Sequence, residues 1–144
     1  MTGIRIGEAA RRLGLTTRTL RYYEEMGLLP SGDRAQGKFR AYTEDDIRRL
    51  ERITELKHLL GFNLHEIREI LTAEDELKEL RRQYDADADD LARREGILTR
   101  ALELNARLRS LVDAKVSALE QMRGHLAERA DAYRAAMGDL KVSQ

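Results

Sequence analysis

Hydrophobic residues at helical spacing, separated by short breaks, predict two closely joined helices near the N-terminus. The first ends at Gly14, since glycine readily adopts the left-handed conformation that stops a helix. The second begins after Thr16, whose hydroxyl can cap it, and ends at Gly27. Only the residues "GLT" separate the two helices, which is the spacing of a helix-turn-helix.

Two more helices are predicted before residue 72, after a loop or short hairpin at residues 30–42. Thr43 caps the first of them, and Asn63 with Glu66 has the spacing of a capping box for the second. The expected apolar stripe of the third helix comprises Ile47, Leu50, Ile53, Leu56, Leu59 and Leu60. Helix, turn, helix, hairpin-like loop, helix and helix make up a winged helix-turn-helix domain.

The second half repeats apolar residues every seven positions, which predicts a coiled coil. Asn105 falls within this repeat and is expected to fix the register, unless the stripe drifts and leaves it half exposed. Gly124 is the expected weak point of the helix, and heptads alone leave parallel and antiparallel pairing open. The predicted dimerisation residues are Leu91, Leu98, Leu102, Asn105, Leu108, Val112, Val116 and Leu119.

The fold class is therefore mainly α, with an N-terminal winged helix-turn-helix domain and a long C-terminal coiled-coil helix. The predicted segments are the winged helix-turn-helix domain at 1–74, a connection at 75–90, a coiled coil with any effector region at 91–137, and a tail at 138–144.

The composition and the charge distribution limit the classes of function that the protein can have. The net charge is zero, yet residues 1–42 hold eight basic and four acidic side chains, so a basic front end precedes an acidic body. Without cysteine there are no disulfides or thiolate metal sites, and the three histidines lack paired ligand spacing. No run of apolar residues suits a membrane span or secretion signal, so we expect a cytoplasmic protein. No catalytic motif stands out, so we do not expect an enzyme.

Basic residues fall on the second helix and on the loop that follows it, which favours DNA binding over a purely structural helix-turn-helix. These residues are Arg18, Arg21, Lys38 and Arg40. The alternative is a nucleoid-architectural or adaptor coiled-coil protein that binds DNA without regulating a promoter.

The stretches "IGEAARRLGLTTRTLRYYEEMGLLP" and "GKFRAYTEDDIRRLERITELKHLLGFNLHEIREIL" resemble the DNA-binding domain of the MerR family of transcription regulators. The family usually reads Gly-Tyr-Arg-x-Tyr in the wing, whereas "GKFRAY" inserts Lys38 and replaces the first tyrosine by Phe39. The resemblance implies a homodimer, joined by an antiparallel coiled coil, that binds a palindromic operator and distorts the promoter spacer for RNA polymerase.

The resemblance also implies the DNA-contacting residues. Thr17, Arg18 and Arg21 match the groove-facing side of the second helix, and Lys38, Arg40 and Tyr42 match the wing. Neighbouring residues differ by about 100° around a helix, so we expect Tyr22 to face DNA. We expect Tyr23 to face the core, with its hydroxyl still within reach of a phosphate.

Effector sensing is constrained by the same resemblance. The family's metal sensors carry cysteines at the end of the long helix, and this chain has none, which excludes thiolate sensing; no cofactor is implied. A small-molecule effector is left open. Four apolar residues could line a pocket for it, although core packing is the more common explanation for such residues: Tyr84, Leu91, Tyr133 and Met137.

Overall fold

The computed structural model describes residues 3–29 and 41–144. The chain divides into two compact units, Met1–Asp75 and Glu76–Gln144. Among the described residues, no helix combines the length and the hydropathy that crossing a bilayer requires. The elements, in order, are β1 (Ile4–Arg5), α1 (Ile6–Leu13), α2 (Thr17–Glu25), β2 (Ala41–Tyr42), α3 (Glu44–Thr54), a π-helical turn (Glu55–Leu59), α4 (Leu64–Ala86) and α5 (Leu91–Val142).

The helix-turn-helix forms where local capping signals place it. Gly14 ends α1 in the left-handed conformation, with φ of 67°. The Thr16 hydroxyl then accepts a hydrogen bond of 3.1 Å from the backbone N–H of Thr19, so one of the otherwise unpaired N–H groups of the first turn is satisfied. After α2, Gly27 has φ of 76° and stops the helix. Both predicted helix ends are confirmed.

A two-stranded sheet closes the first unit. Strand β1 pairs antiparallel with β2, and the register places Ile4 opposite Tyr42 and Arg5 opposite Ala41. The sheet therefore joins the start of the chain to the residues that follow the segment 30–40. The loop or short hairpin predicted at residues 30–42 allowed for an extended β2, but no feature of the sequence indicated β1 as its partner.

Helices α3 and α4 both begin at capping boxes. The Thr43 side chain and the Asp46 backbone N–H form one half of the first box, and the Asp46 carboxylate accepts from the Thr43 N–H in return. Asn63 and Glu66 exchange the equivalent pair, at 2.9 and 2.8 Å. These reciprocal bonds satisfy N–H groups that the helices themselves leave unpaired.

The expected stripe of α3 is wrong at its C-terminal end. Leu59 and Leu60 are exposed, whereas Leu56 is buried. The cause is the π-helical turn, in which the Leu60 N–H donates to the Glu55 carbonyl five residues earlier and not four. The wider turn alters the angular register, and the chain then leaves the helix at Gly61, so Phe62 enters the core in place of the two leucines.

The hydrophobic core of the first unit brings all of its helices together. Each contributes apolar side chains at spacings of three or four residues. The residues least exposed to solvent are Ala9, Leu20, Tyr23, Leu28, Tyr42, Ile47, Leu50, Ile53, Leu56 and Ile67.

The second unit contains the end of α4 and the whole of α5. The segment 75–90, expected to be a connection, continues α4 as far as Ala86, and Asp90 then caps α5 by accepting from the Arg93 N–H at 3.0 Å. Helix α5 passes through Gly124 without the expected break, so its 52 residues span roughly 78 Å at 1.5 Å per residue.

Arg100 and Glu76 join the two helices of this unit. Arg100 donates two hydrogen bonds to the Glu76 carboxylate, at 2.6 and 3.0 Å. Because these bonds favour the charged carboxylate, they lower the pKa of Glu76 below its ordinary value.

A carboxyl group with a lowered pKa stabilises the folded state above its unfolded pKa, and this contribution is lost as the pH falls through the folded value. We therefore expect Glu76→Gln to lower the urea midpoint at about pH 7 and to match the parent protein at about pH 2. Glu120→Gln is the control, because Glu120 pairs with no described residue. Equal losses in both variants, or a Glu76→Gln deficit that persists in acid, would contradict the assigned role.

Candidate nucleic-acid interface

The exposed side of α2 presents the predicted contact residues together. Thr17, Arg18 and Arg21 are exposed, and Tyr22 is 43% exposed. Arg18, Arg21 and Tyr22 line one shallow depression with Glu25. Glu25 lies four residues after Arg21, a helical spacing that would have identified it, although the sequence analysis did not include it. The surface combines cationic, hydroxyl and aromatic groups, which suits contact with a phosphate backbone and base edges.

Ion pairing separates the arginines of the first unit into two groups. Arg18 and Arg21 make no hydrogen bond or ion pair with any residue in the described ranges 3–29 and 41–144. By contrast, Arg12 donates to both oxygens of the Glu44 carboxylate at 3.1 Å. Protein partners also engage Arg48, Arg49, Arg52 and Arg68. Arg18 and Arg21 are therefore available to a ligand, whereas most other described arginines of the first unit are engaged by protein partners.

Tyr23 is a core residue. Its side chain is fully buried, and its hydroxyl has no hydrogen-bond partner within the part of the chain that the structure describes. Burial raises the pKa of this phenol, because desolvation penalises the charged form. The expected orientation is confirmed, but the burial argues against the phosphate contact assigned to Tyr23. Lys57 lies 5.7 Å from the centre of its ring, so that lysine also has a partner within the protein.

Tyr42 is also buried, and its hydroxyl donates to the Glu24 carboxylate of α2. The contact joins β2 to α2, and the burial of Tyr42 argues against the DNA contact predicted for this wing residue. Arg40 and Lys38, the other wing residues of the prediction, lie outside the described residues.

The predicted dimerisation stripe of α5 lies mostly on the surface of the single chain. Leu102 is 71% exposed and Val112 48% exposed, and Asn105 is exposed as well, while Leu108 is half-buried. The residues of α5 that are buried within the chain are Ile97 and Leu104. The remaining stripe residues with exposed side chains are Leu91, Leu98, Val116 and Leu119. This long apolar surface lacks a partner among the described residues.

Helices α4 and α5 line an open pocket of about 380 Å³ within the second unit, formed by Leu77, Leu80, Tyr84, Ile97 and other residues. Of the side chains considered for an effector pocket, Tyr84 lines it, whereas Leu91, Tyr133 and Met137 do not. Arg94 covers the Tyr84 ring, 4.1 Å from its centre. Across 3–29 and 41–144, no cluster of three or more His, Asp or Glu side chains could hold a metal ion.

Comparison with known proteins finds one matching family model and several relatives of similar sequence. A family model described as MerR HTH family regulatory protein matches residues 4–74. The HTH-type transcriptional regulator YfmP of Bacillus subtilis (strain 168) is 35% identical over 126 residues, which is 88% of this chain and 89% of YfmP. The nodulation protein NolA of Bradyrhizobium sp. (strain NC92) is 39% identical over 116 residues, 78% of this chain and 46% of NolA.

One solved structure is similar over nearly the whole length. It is the crystal structure of HiNmlR, a MerR family regulator lacking the sensor domain, bound to promoter DNA. It matches with a TM-score of 0.55 and 21% identity, covering 95% of this chain and 94% of HiNmlR. At this sequence identity, the likeness shows a similar fold and no more.

Proposed function

Since the chain belongs to the MerR family of helix-turn-helix transcription regulators, we propose that it binds a palindromic promoter operator as a homodimer and distorts the bound duplex. The observation that carries the proposal is the exposed side of α2, where Arg18 and Arg21 lack protein partners among the described residues. Neither guanidinium group pairs with a described residue, and both match the chemistry of DNA.

Each residue of this face has a role that follows from its chemistry. An arginine can donate two parallel hydrogen bonds to guanine O6 and N7 in the major groove, which makes Arg18 and Arg21 the candidates for reading sequence. Thr17 lies in the first turn of α2, where backbone N–H groups and the helix dipole attract phosphate. Tyr22 can donate its hydroxyl to the backbone beside the groove. Lys38 and Arg40 extend the phosphate contacts, as the resemblance implies.

The exposed stripe on α5 supports a homodimer. A second copy would bury the same residues from the other side, as the isologous contact of a two-fold dimer does. Two copies of α2 would then meet half-sites about 34 Å apart, one helical turn of DNA, which accounts for a palindromic operator.

Distortion of the operator is part of the proposal because the resemblance to the MerR family implies it. Bending a site of this length costs from about 1 to 6 kcal/mol, which additional phosphate contacts can offset. In MerR-like regulation the distortion brings the two promoter elements into a spacing that RNA polymerase recognises, so the polymerase is the second proposed partner. The absence of cysteine excludes a thiolate metal site as the input.

Footprinting the purified full-length protein on the chromosome of its source organism tests the proposal. We expect protected palindromes between the two elements of promoters, with specific binding at least 1,000-fold tighter than non-specific binding, on the order typical of regulators. Protection spread over unrelated sequences would instead support the nucleoid-architectural alternative.

Arg18→Ala and Arg21→Ala should each weaken operator binding roughly 10- to 100-fold, the cost of about 1–3 kcal/mol for a lost base contact. The melting temperature should change little, because neither side chain has a partner among the described residues. Fluorescence anisotropy with a labelled operator and thermal denaturation measure the two effects. Arg48→Ala, which removes an equally exposed charge paired with Asp45 on α3, is the control. A large fall in the melting temperature of either variant would show that the replaced arginine stabilises the fold.

A further inference from the structure

The chain leaves α2 through a segment whose backbone carbonyls accept hydrogen bonds from arginines of the following helices. Gly27 ends the helix, and Leu28 and Leu29 then turn into the core, where both are buried. Arg68 of α4 donates to the Met26 carbonyl, and Arg49 of α3 donates to the Leu28 carbonyl. Carbonyl groups after the last helical turn lack partners within the helix, so these cations supply what the helix cannot.

Arg49 makes a second contact from the same guanidinium group. Its Nε lies 2.5 Å from the Leu28 carbonyl oxygen, and its Nη1 lies 2.9 Å from the Asp75 carboxylate on α4. The Arg49 side chain is 22% exposed and that of Asp75 is 58% exposed, so the bond to the Leu28 carbonyl is the more shielded of the two contacts. A planar guanidinium with donors in fixed directions can hold a carbonyl and a carboxylate in one geometry, which a flexible ammonium group does poorly.

Arg52 is a natural comparison, because it lies three residues further along the same face of α3. It donates to Glu74 at 3.2 and 2.8 Å and to Glu55 at 3.0 Å. Arg52 therefore also ties α3 to α4, but none of its contacts reaches α2 or the segment that follows it. The bond to the Leu28 carbonyl is made by Arg49 and not by Arg52, whereas the bond to Glu55 is made by Arg52 and not by Arg49.

We propose that Arg49 is a positioning residue for DNA binding, which fixes the exit of α2 relative to α3 and α4. The inference rests on the proposed function, since it assigns Arg49 a role in presenting the reading face of α2. Arg49 itself does not touch DNA in this account. Arg49 instead fixes the position in which α2 ends. Its proposed effect is therefore on the sequence-specific contacts between α2 and DNA, beyond the effect of its positive charge.

The test compares Arg49→Ala with Arg52→Ala in the full-length protein. Both variants lose one positive charge and one α3–α4 ion pair. The specific probe is the tightest duplex selected from a random library by the parent protein, and the non-specific probe is a scrambled duplex of equal length. At a temperature well below both melting transitions, we expect Arg49→Ala to lose about tenfold in affinity for the selected duplex, the factor equivalent to one hydrogen bond to a charged group. Arg52→Ala should stay within about twofold.

Binding to the scrambled duplex should fall equally in the two variants, because non-specific affinity follows the phosphate-neutralising charge. Asp75→Asn provides a second measurement if Arg49→Ala does not fold, since Asp75 is exposed and its loss leaves the bond to Leu28 in place. We expect Asp75→Asn to lose more affinity for the selected duplex than Arg52→Ala does. Equal affinities of Arg49→Ala and Arg52→Ala for the selected duplex would overturn the positioning role alone. If Arg49→Ala does not fold, equal affinities of Asp75→Asn and the parent protein would overturn it. Failure of the parent protein to prefer any selected duplex would overturn both this role and the proposed function.

Discussion

Replacing Val112 and Leu119 together by glutamate should convert the protein to a monomer and weaken operator binding by on the order of 1,000-fold. Both side chains lie on the exposed apolar stripe of α5, one heptad apart. In a homodimer the change affects four side chains, whose burial contributes about 1.5–3 kcal/mol each, so the interface would lose roughly 6 kcal/mol or more. Glutamate is a good helix former, so α5 itself should persist. Light scattering coupled to size exclusion and operator titration measure the two effects.

A matched control uses the same helix and the same charge change. Ser110 and Ser117 are exposed, also one heptad apart, and lie away from the stripe at about 100° per residue. The double glutamate variant at these positions should remain a dimer and bind as the parent does. If the Val112 and Leu119 variant is still dimeric at the same concentration, the stripe is not the interface. If it is monomeric but binds the operator unchanged, dimerisation is not what provides affinity.

Signals confined to a few neighbouring residues were sufficient to predict much of the first unit. Thr16, Thr43 and Asn63 were predicted to be caps, and each accepts the hydrogen bond that a cap requires. The alternation of Tyr22 and Tyr23 between surface and core also follows from helical geometry alone. These features depend on residues at most four positions apart, whose relative placement the helix fixes before any tertiary contact forms.

Features that depend on distant residues were not predictable in the same way. The pairing of Ile4 with Tyr42 and the hydroxyl contact from Tyr42 to Glu24 require the folded core to bring them together. The π-helical turn that exposes Leu59 arises from a hydrogen-bond shift that no residue type specifies. In these places tertiary packing determined the outcome.

The continuation of α4 beyond residue 74, where a connection was predicted, could have been predicted from the spacing of apolar residues. Leu77, Leu80 and Tyr84 recur at spacings of three and four and are half-buried on one face of α4. Helix α5 provides the surface against which that face packs within the second unit, so the helix persists until the aspartate-rich segment after Ala86. The exposed stripe of α5 was predicted as an interface, and that assignment stays a prediction, since a single chain cannot supply the partner surface.

Tyr23→Ala should lower the free energy of unfolding of the first unit by about 3–5 kcal/mol, the cost of deleting a large buried aromatic ring. The ring is fully buried on α2, and the cavity would lie beneath the reading face. Such a loss is a large share of the stability of a domain of this size, which is about 5–15 kcal/mol. Urea denaturation followed by circular dichroism measures the change.

Tyr22→Ala is the matched variant, because it deletes the same side chain from the next position of the same helix. Tyr22 is partly exposed, so its removal should cost less than about 1 kcal/mol of stability but should weaken operator binding if its hydroxyl contacts phosphate.

Tyr23→Phe separates the ring from its hydroxyl, which is buried without a partner among the described residues. Because an unsatisfied buried hydroxyl costs about 1–3 kcal/mol, Tyr23→Phe should match or exceed the parent in stability. A marked loss of operator affinity in Tyr23→Phe, at unchanged stability, would restore the phosphate contact that the burial of this side chain argues against.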